Sequence, residues 1–163
     1  MNPQKEKATF APSLKGEPDW TSFDAPALVG DSLRFVSKDR TGERFRIGYY
    51  LDRKKDLVAR IWFGPQTEGP PDHAHGGSMA AVLDEVLGLA AWAAGHPIVV
   101  GNLNVSFKQM LPLCTVVQVE SSIASVEGRK VLVRGRICSP DGTVFAEAEC
   151  LCIKIRKAEL PGR

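Results

Sequence analysis

Residues 73–94 read HAHGGSMAAVLDEVLGLAAWAA, and this stretch decides the fold. From Ser78 to Ala94 it is rich in Ala, Leu, Met and Val and has no proline, which predicts a helix of about 17 residues. Gly95-His96-Pro97 follows. A glycine at the exit with a proline two residues later is a typical helix end. Because the helix is apolar nearly all round, we expect a sheet or a second subunit to cover it.

Alternating apolar and polar residues predict two strands before the helix and four after it. Short turns join the strands, including Pro140-Asp141-Gly142. Consecutive strands joined in this way form an antiparallel sheet. The predicted fold class is therefore α+β, with an antiparallel sheet of about six strands wrapped around one long central helix. The predicted strands are 45–51, 57–63, 99–108, 115–126, 130–137 and 143–155.

Composition predicts an ordinary globular protein. The 163 residues are 44% hydrophobic and 25% charged, as in typical single domains. A net charge of +2 is too small to indicate nucleic acid or an anionic membrane as a partner. Residues 1–25 are rich in Pro and Lys and predict a loosely ordered arm, and 26–163 predict one domain.

The location is predicted to be cytoplasmic. Residues 1–14 lack the apolar core of a signal peptide, and the longest apolar stretch is interrupted by Asp84 and Glu85, so it should not span a bilayer. None of the four cysteines forms a CxxC pair, which fits a reduced protein with cysteines as buried small side chains.

The first candidate for chemistry is His75-Gly76-Gly77, where loop becomes helix. A helix N-terminus offers unpaired backbone N–H groups and a partial positive charge. Glycines let a ligand oxygen approach those groups without a Cβ in the way. Such a site can stabilise the oxyanion that forms when a thioester carbonyl is attacked. The alternative is that the two glycines only permit a tight turn.

The second candidate is Asp84, an acid in the middle of the apolar helix. An ionised carboxylate is costly to bury without a partner, and perturbed carboxylates cluster at functional sites. Small residues lie one turn away, among them Ala80, Ala81 and Gly88, so a substrate could approach it closely. Glu85 projects about 100° around the helix. The alternative is that one acid of this pair belongs to the polar surface or to an interface ion pair.

The sequence gives weaker support to two other kinds of site. His73 and His75, with Asp72 beside them, lack a third ligand nearby, so no metal site is predicted. A Ser78-His75-Asp84 triad is conceivable, but Ser78 does not lie in a GxSxG turn.

These residues resemble a known family. His75-Gly76-Gly77 followed nine residues later by Asp84 resembles the hotdog-fold acyl-CoA thioesterases, and more narrowly their phenylacetic-acid-pathway and carboxyl-terminal-modulator branches. The similarity covers about residues 45–155, nearly all of the predicted domain. The motifs that also agree are Gly69-Pro70-Pro71, Asn102-Leu103-Asn104 and Val126-Glu127-Gly128-Arg129-Lys130.

The resemblance implies hydrolysis of an acyl-CoA thioester to a free acid and CoA. In the family, the residue matching Asp84 acts as nucleophile or general base. The Gly76 N–H polarises the thioester carbonyl, and His75 shapes the site. Active sites lie between subunits, so the resemblance implies a dimer or a dimer of dimers. No metal or organic cofactor is implied.

Substrate-binding residues are expected at three places. Gly77 borders the oxyanion site, and the turn Gly128-Arg129-Lys130 is implied to lie near CoA, although such turns are more often merely solvated. Two family positions differ here: Gly69 stands where many members have asparagine, and Val100 where one branch has threonine. Asn102 or Asn104 is predicted to substitute, because strict alternation would place both on the strand face of Val100.

Two alternative functions remain. The chain could be a non-catalytic acyl-CoA-binding or regulatory hotdog protein, or a hotdog enoyl-CoA hydratase. A DNA-binding regulator would need a basic helix-turn-helix segment, which the sequence does not contain. The hydratase branch usually has its Asp and His in a different loop motif.

Overall fold

The computed structural model describes residues 12–26, 35–39 and 41–156. Within these residues one helix lies against a seven-stranded sheet, and every strand pair is antiparallel. The sheet order is β1-β2-β3-β5-β6-β7-β4. The elements are β1 (Thr21–Ser22), β2 (Phe45–Leu51), β3 (Leu57–Phe63), α1 (Gly76–Ala93), β4 (Ile98–Phe107), β5 (Thr115–Glu127), β6 (Lys130–Cys138) and β7 (Val144–Lys154).

The predicted fold class is confirmed, and the strand number is one higher than expected. The additional strand is β1, whose two residues pair with the end of β2. Two residues are too few for a hydrophobic alternation to show, so the sequence could not predict it. Residues 1–11 of the predicted arm lie outside the described residues, and the division into arm and domain stays a prediction.

The helix begins two residues earlier than predicted, at Gly76. His75 is its N-cap, with an extended backbone (φ −64°, ψ 138°) and a side chain that accepts a hydrogen bond from the Gly77 N–H. Histidine is not among the usual N-cap residues, which explains why composition placed the start at Ser78. The helix ends at Ala93, and Gly95 turns the chain away with φ +84°.

The core lies between α1 and the inner face of the sheet. Val82, Leu83, Val86 and Leu87 are fully buried, and burying a side chain of this size stabilises the fold by roughly 1.5–3 kcal/mol. A Cβ at Gly135 of β6 would lie 2.4 Å from Cδ2 of Leu87. Glycine at this position therefore lets the helix approach the sheet closely. No described helix is long and apolar enough to cross a membrane.

Strand β4 forms one edge of the sheet, because among the described strands it pairs with β7 alone. Its register shifts between Val100 and Asn102, at a β-bulge that includes Gly101. A bulge inserts one residue and changes which side chains face the core. The helix side of β4 therefore carries Val100 before the bulge and Leu103 and Val105 after it.

Candidate active site

The N-terminus of α1 presents one backbone donor. The Gly77 N–H donates to Nδ1 of His75 at 2.8 Å. The N–H groups of Ser78 and Met79 donate to the His75 carbonyl oxygen at 2.9 and 3.3 Å. Within the described part of the chain, no acceptor takes the Gly76 N–H. The first four N–H groups of a helix have no partner within the helix. Here the N–H of Gly76 is the one that stays available to a ligand.

The loop before the helix fixes the direction of this N–H group. The His75 N–H donates to the Thr67 carbonyl oxygen at 2.7 Å, and the Ala74 N–H donates to that of Leu111 at 2.8 Å. Thr67 is buried, and its hydroxyl donates to the Gly64 carbonyl oxygen at 2.7 Å. Because neighbouring segments hold the loop on both sides, the donor needs no rearrangement to meet an oxygen.

His75 shapes the site through its ring nitrogen. Since Nδ1 accepts the Gly77 N–H, the neutral ring carries its proton on Nε2, an assignment that follows from the hydrogen bond. The imidazole is exposed. Its bond to Gly77 takes up the donor next to Gly76, so of these two N–H groups only that of Gly76 has no acceptor among the described residues.

The position of Gly69 cannot carry an asparagine in this loop. A Cβ there would lie 2.7 Å from Cα of His75 and 2.9 Å from its Cβ, closer than real Cβ contacts. The Gly69 N–H also donates to the His73 carbonyl oxygen at 3.0 Å. In this loop conformation, the close packing of Gly69 on His75 leaves no room for an asparagine side chain unless the loop shifts.

Asp84 points away from the core on the exposed side of α1. The Asp84 carboxylate makes no hydrogen bond or ion pair with any of the described residues. Burial against the helix surroundings raises the pKa of its carboxyl above the ordinary value of 3.8, and the negative charge of Glu85 raises it further. An unpaired acid with a raised pKa is suited to take a proton or to attack a carbonyl.

Glu85 is occupied by structural hydrogen bonds. Its Oε1 accepts from the hydroxyl of buried Tyr49 at 2.6 Å, and its Oε2 accepts from the Val36 N–H at 3.3 Å. Both donors lie outside the helix, so Glu85 ties α1 to β2 and to the segment before it. Of the two adjacent acids, Asp84 is therefore the one that is free for chemistry.

A single chain does not bring Asp84 and Gly76 together. The two residues are eight positions apart on one helix, which places them about 12 Å apart along its axis. A thioester carbonyl held at the Gly76 N–H is out of reach of the same chain's Asp84. Within one chain, Gly76 and Asp84 therefore do not form a single site.

Asn102 and Asn104 lie on the face of β4 opposite Val100, because the β-bulge intervenes. The expectation that they share the face of Val100 is therefore wrong. Asn104 lines a groove on the outer face of the sheet, together with Arg134 and Glu149. Val100 packs towards Gly88 of α1, where a Cβ would lie 3.6 Å from its Cγ2. The substrate-binding roles of the two asparagines stay predictions.

The turn Gly128-Arg129-Lys130 lies far from Gly76 within the chain. Gly128 has φ +56°, and the Arg129 guanidinium donates to the Lys154 carbonyl oxygen at 3.1 and 3.2 Å. Lys154 pairs with Ile98, the first residue of β4, whereas Gly76 lies beside Phe107, the last. Nine residues of strand, or about 30 Å, separate the two places.

The histidines do not form a metal site in the described residues. Nδ1 of His73 lies 2.8 Å from the Pro71 carbonyl oxygen, so this nitrogen is engaged within the loop. No cluster of three or more His, Cys, Asp or Glu side chains in the described ranges could hold a metal ion.

The sequence alone did not identify two residues of this region. Phe107 continues the alternation of Leu103 and Val105 along β4, but it is 53% exposed and lies against Gly76. Tyr49, counted only as a strand residue, holds Glu85. Tyrosine on an inward-facing strand position does signal a hydroxyl that needs a partner, but not which one.

Comparison with known proteins agrees with the geometry. The thioesterase superfamily model matches residues 72–146, which include the Gly76 loop and Asp84. Over these residues the chain resembles the thioesterase superfamily. It is 39% identical over 103 residues to the acyl-coenzyme A thioesterase THEM4 of Bos taurus, a match that covers 63% of this chain and 42% of that protein.

Two solved structures of the superfamily share the fold. One thioesterase superfamily protein has a TM-score of 0.64 at 28% identity and covers 67% of this chain and 54% of its own. A hypothetical thioesterase from Streptococcus pneumoniae, solved with coenzyme A, has a TM-score of 0.60 at 16% identity. The match covers 69% of this chain and 89% of that protein. The chain spans about half the length of the curated relatives it matches.

Proposed function

We propose that this protein hydrolyses acyl-CoA thioesters to a free acid and CoA. The observation that carries the proposal is the unpartnered Gly76 N–H at the start of α1. A thioester carbonyl oxygen accepts this N–H, and the helix dipole adds to the stabilisation of the oxyanion. The THEM4 relatives, named acyl-coenzyme A thioesterases, support the reaction class.

Asp84 supplies the other chemical step. Its carboxylate either removes a proton from the attacking water or attacks the carbonyl carbon itself and forms an anhydride that water then opens. In both routes the carbon–sulfur bond breaks and CoA leaves as a thiolate. A thiolate is a good leaving group, so one carboxylate and one oxyanion donor are enough.

The active form in this proposal is a homodimer with shared sites. Asp84 cannot reach the Gly76 of its own chain, and alternate residues of the ten-residue strand β4 offer backbone donors and acceptors at the sheet edge. An edge strand of this length is a template for pairing with another strand. Pairing of β4 with β4 of a second copy would bring Asp84 of each chain towards the Gly76 loop of the other.

CoA is proposed to extend from the Gly76 loop of one chain to the turn Gly128-Arg129-Lys130 of the other. Antiparallel pairing of two β4 strands places the Ile98 end of one beside the Phe107 end of its partner, so the turn approaches the partner's loop. Basic side chains there suit the phosphates of CoA. The Streptococcus pneumoniae neighbour with coenzyme A shows a ligand of this class on the same fold.

The test is thiol release from acetyl-, octanoyl- and phenylacetyl-CoA, with Gly76→Pro beside Gly76→Ala. Proline removes the N–H donor, is tolerated at the first helical position, and fits the extended backbone of His75. Alanine adds a Cβ at the same place, 3.2 Å from Cζ of Phe107, but keeps the donor. We expect a loss in kcat of about 100-fold or more for proline relative to alanine.

Equal rates for the two variants would remove Gly76 from the mechanism. Tight binding of acyl-CoA with no thiol release from any substrate by the wild type would instead favour a non-catalytic acyl-CoA-binding protein. Formation of a 3-hydroxyacyl product from an enoyl-CoA would favour a hydratase.

The shared site has its own test. Co-expressed Gly76→Pro and Asp84→Asn chains form mixed dimers in which one of the two sites has both native groups. With random pairing, half of the dimers are mixed, so about one quarter of the wild-type activity should return. A mixture as inactive as its components, with dimers shown by light scattering, would contradict a site shared between chains.

A further inference from the structure

Phe107 occupies an unusual place for a large aromatic residue. It ends β4, and its side chain is 53% exposed. The ring nevertheless lies against Gly76, because a Cβ built on Gly76 would be 3.2 Å from Cζ and 3.5 Å from Cε1 of the ring. A partly exposed aromatic ring therefore lies beside the residue whose N–H has no acceptor among the described residues.

The backbone holds this ring in place. Phe107 pairs with Ala146 of β7, and the N–H groups of Lys108 and Gln109 donate to the Phe145 carbonyl oxygen at 2.8 and 3.2 Å. The residues that carry the ring are thus fixed by the sheet on one side and by the start of α1 on the other. An apolar ring fixed at the rim of a polar site is suited to contact a ligand rather than to pack a core.

We propose that the Phe107 ring contacts the thioester group of bound acyl-CoA and excludes water from the Gly76 N–H. This inference rests on the proposed function. A carbonyl oxygen bound to the Gly76 N–H lies about 2.9 Å from the Gly76 nitrogen. The carbonyl carbon is one bond from that oxygen, and the sulfur is two bonds from it. A ring in contact with Gly76 therefore meets the reacting group, whereas the far end of an acyl chain is several bonds away.

Two consequences follow from this contact. An apolar cover lowers the local dielectric, which strengthens the hydrogen bond to the developing oxyanion. The contacted atoms are also common to all acyl-CoA substrates. Phe107→Ala should therefore lower kcat/KM by the same factor for every acyl group, about tenfold for loss of a half-buried aromatic contact.

The experiment measures kcat/KM for acetyl-, octanoyl- and phenylacetyl-CoA in Phe107→Ala, Phe107→Leu and Phe35→Ala. Phe35 is the matched control, because it is also a large exposed phenylalanine but lies against Phe45 and Arg44, outside the proposed site. A loss for alanine that is uniform across the three substrates, a smaller uniform loss for leucine and none for the control support the proposal. Unchanged rates, or a loss that varies strongly with the acyl group, overturn it.

A binding measurement separates this inference from the proposed function. The probe is a ketone analogue of acetyl-CoA that cannot be hydrolysed, and desulfo-CoA, which lacks the thioester, is its control. Even if the wild type hydrolyses nothing, Phe107→Ala should weaken binding of the ketone by about fivefold and leave desulfo-CoA binding unchanged. Equal affinities of wild type and variant for the ketone overturn the contact. Should the alanine variant fail to fold, Phe107→Leu is read in its place, with the same outcomes.

Discussion

The two sides of helix α1 hold adjacent carboxyl groups in opposite environments. On one side, Glu85 accepts hydrogen bonds from the Tyr49 hydroxyl and the Val36 N–H. On the other side, Asp84 is exposed, and the described residues supply it with no hydrogen bond. The difference shows how one helix can divide two like residues between stability and chemistry. The side that faces a sheet strand supplies donors, and the exposed side does not.

The largest expected effect is on activity and comes from Asp84→Asn. Loss of the carboxylate should lower kcat at least about 100-fold, the scale of a lost acid–base group. Glu85→Gln keeps an oxygen for Tyr49 and leaves Asp84 in place, so its rate at neutral pH should stay within about threefold of the wild type. Thiol release measures both. A large loss in Glu85→Gln with a mild one in Asp84→Asn would reverse the assignment.

The next effect is on stability, and here the loss should come from the Glu85 side of the helix and not from Asp84. Tyr49→Phe removes a hydrogen bond to a charged carboxylate and should lower the free energy of unfolding by about 1.5–3 kcal/mol. Asp84→Asn breaks no hydrogen bond in the described residues and should change this free energy by less than about 0.5 kcal/mol. Urea unfolding followed by circular dichroism measures both variants. A Tyr49→Phe protein as stable as the wild type would show that the hydrogen bond contributes little.

A smaller effect is expected in the pH dependence. Burial first, and the charge of Glu85 second, raise the pKa of Asp84, and in the proposed mechanism the ionised form is the active one. The rate should therefore fall as the pH decreases through this raised pKa. Glu85→Gln removes the repulsion, so its acid limb should lie at lower pH than that of the wild type. A pH profile of kcat/KM tests this, and coinciding limbs would show that the two carboxyl groups do not interact.

The contribution of Asp84 to folding follows from the same shift. A carboxyl whose pKa is higher in the folded state binds its proton more tightly there than in the unfolded chain. Its contribution to stability is therefore fully present below the ordinary pKa of 3.8 and is lost as the pH rises through the raised value. Compared with the wild type, Asp84→Asn should lose less stability between acid and neutral pH. Unfolding curves at several pH values measure this difference.

The smallest expected effect is that of metal removal. Neither Asp84 nor Glu85 belongs to a cluster of three or more metal-binding side chains in the described ranges. The proposed mechanism uses only a carboxylate and a backbone N–H. EDTA should leave the hydrolysis rate unchanged. Loss of activity with EDTA and its recovery with zinc would show that the reaction needs a metal ion in addition to Asp84.

The sequence by itself determined the helix, six of the seven strands and the position of Asp84 within the helix. It placed Gly76 at the junction of loop and helix, two residues before the predicted helix start. These features follow from local rules, because hydrophobic periods, helix formers and turn residues act over a few neighbouring positions. The narrower family branch, the cytoplasmic location and the CoA-binding turn stay predictions. The sequence also left open which residue of the Asp84-Glu85 pair is structural.

Only the tertiary structure decided that question, and three others. Tyr49 and Glu85 are 36 positions apart, so no local pattern pairs them. The bulge at Gly101 reverses the faces of Asn102 and Asn104 relative to strict alternation, and the packing of His75 excludes a side chain at Gly69. Phe107 lies beside Gly76 because β4 and α1 meet at that end of the sheet. Each of these outcomes depends on contacts between distant segments, which a pattern of period two or 3.6 does not encode.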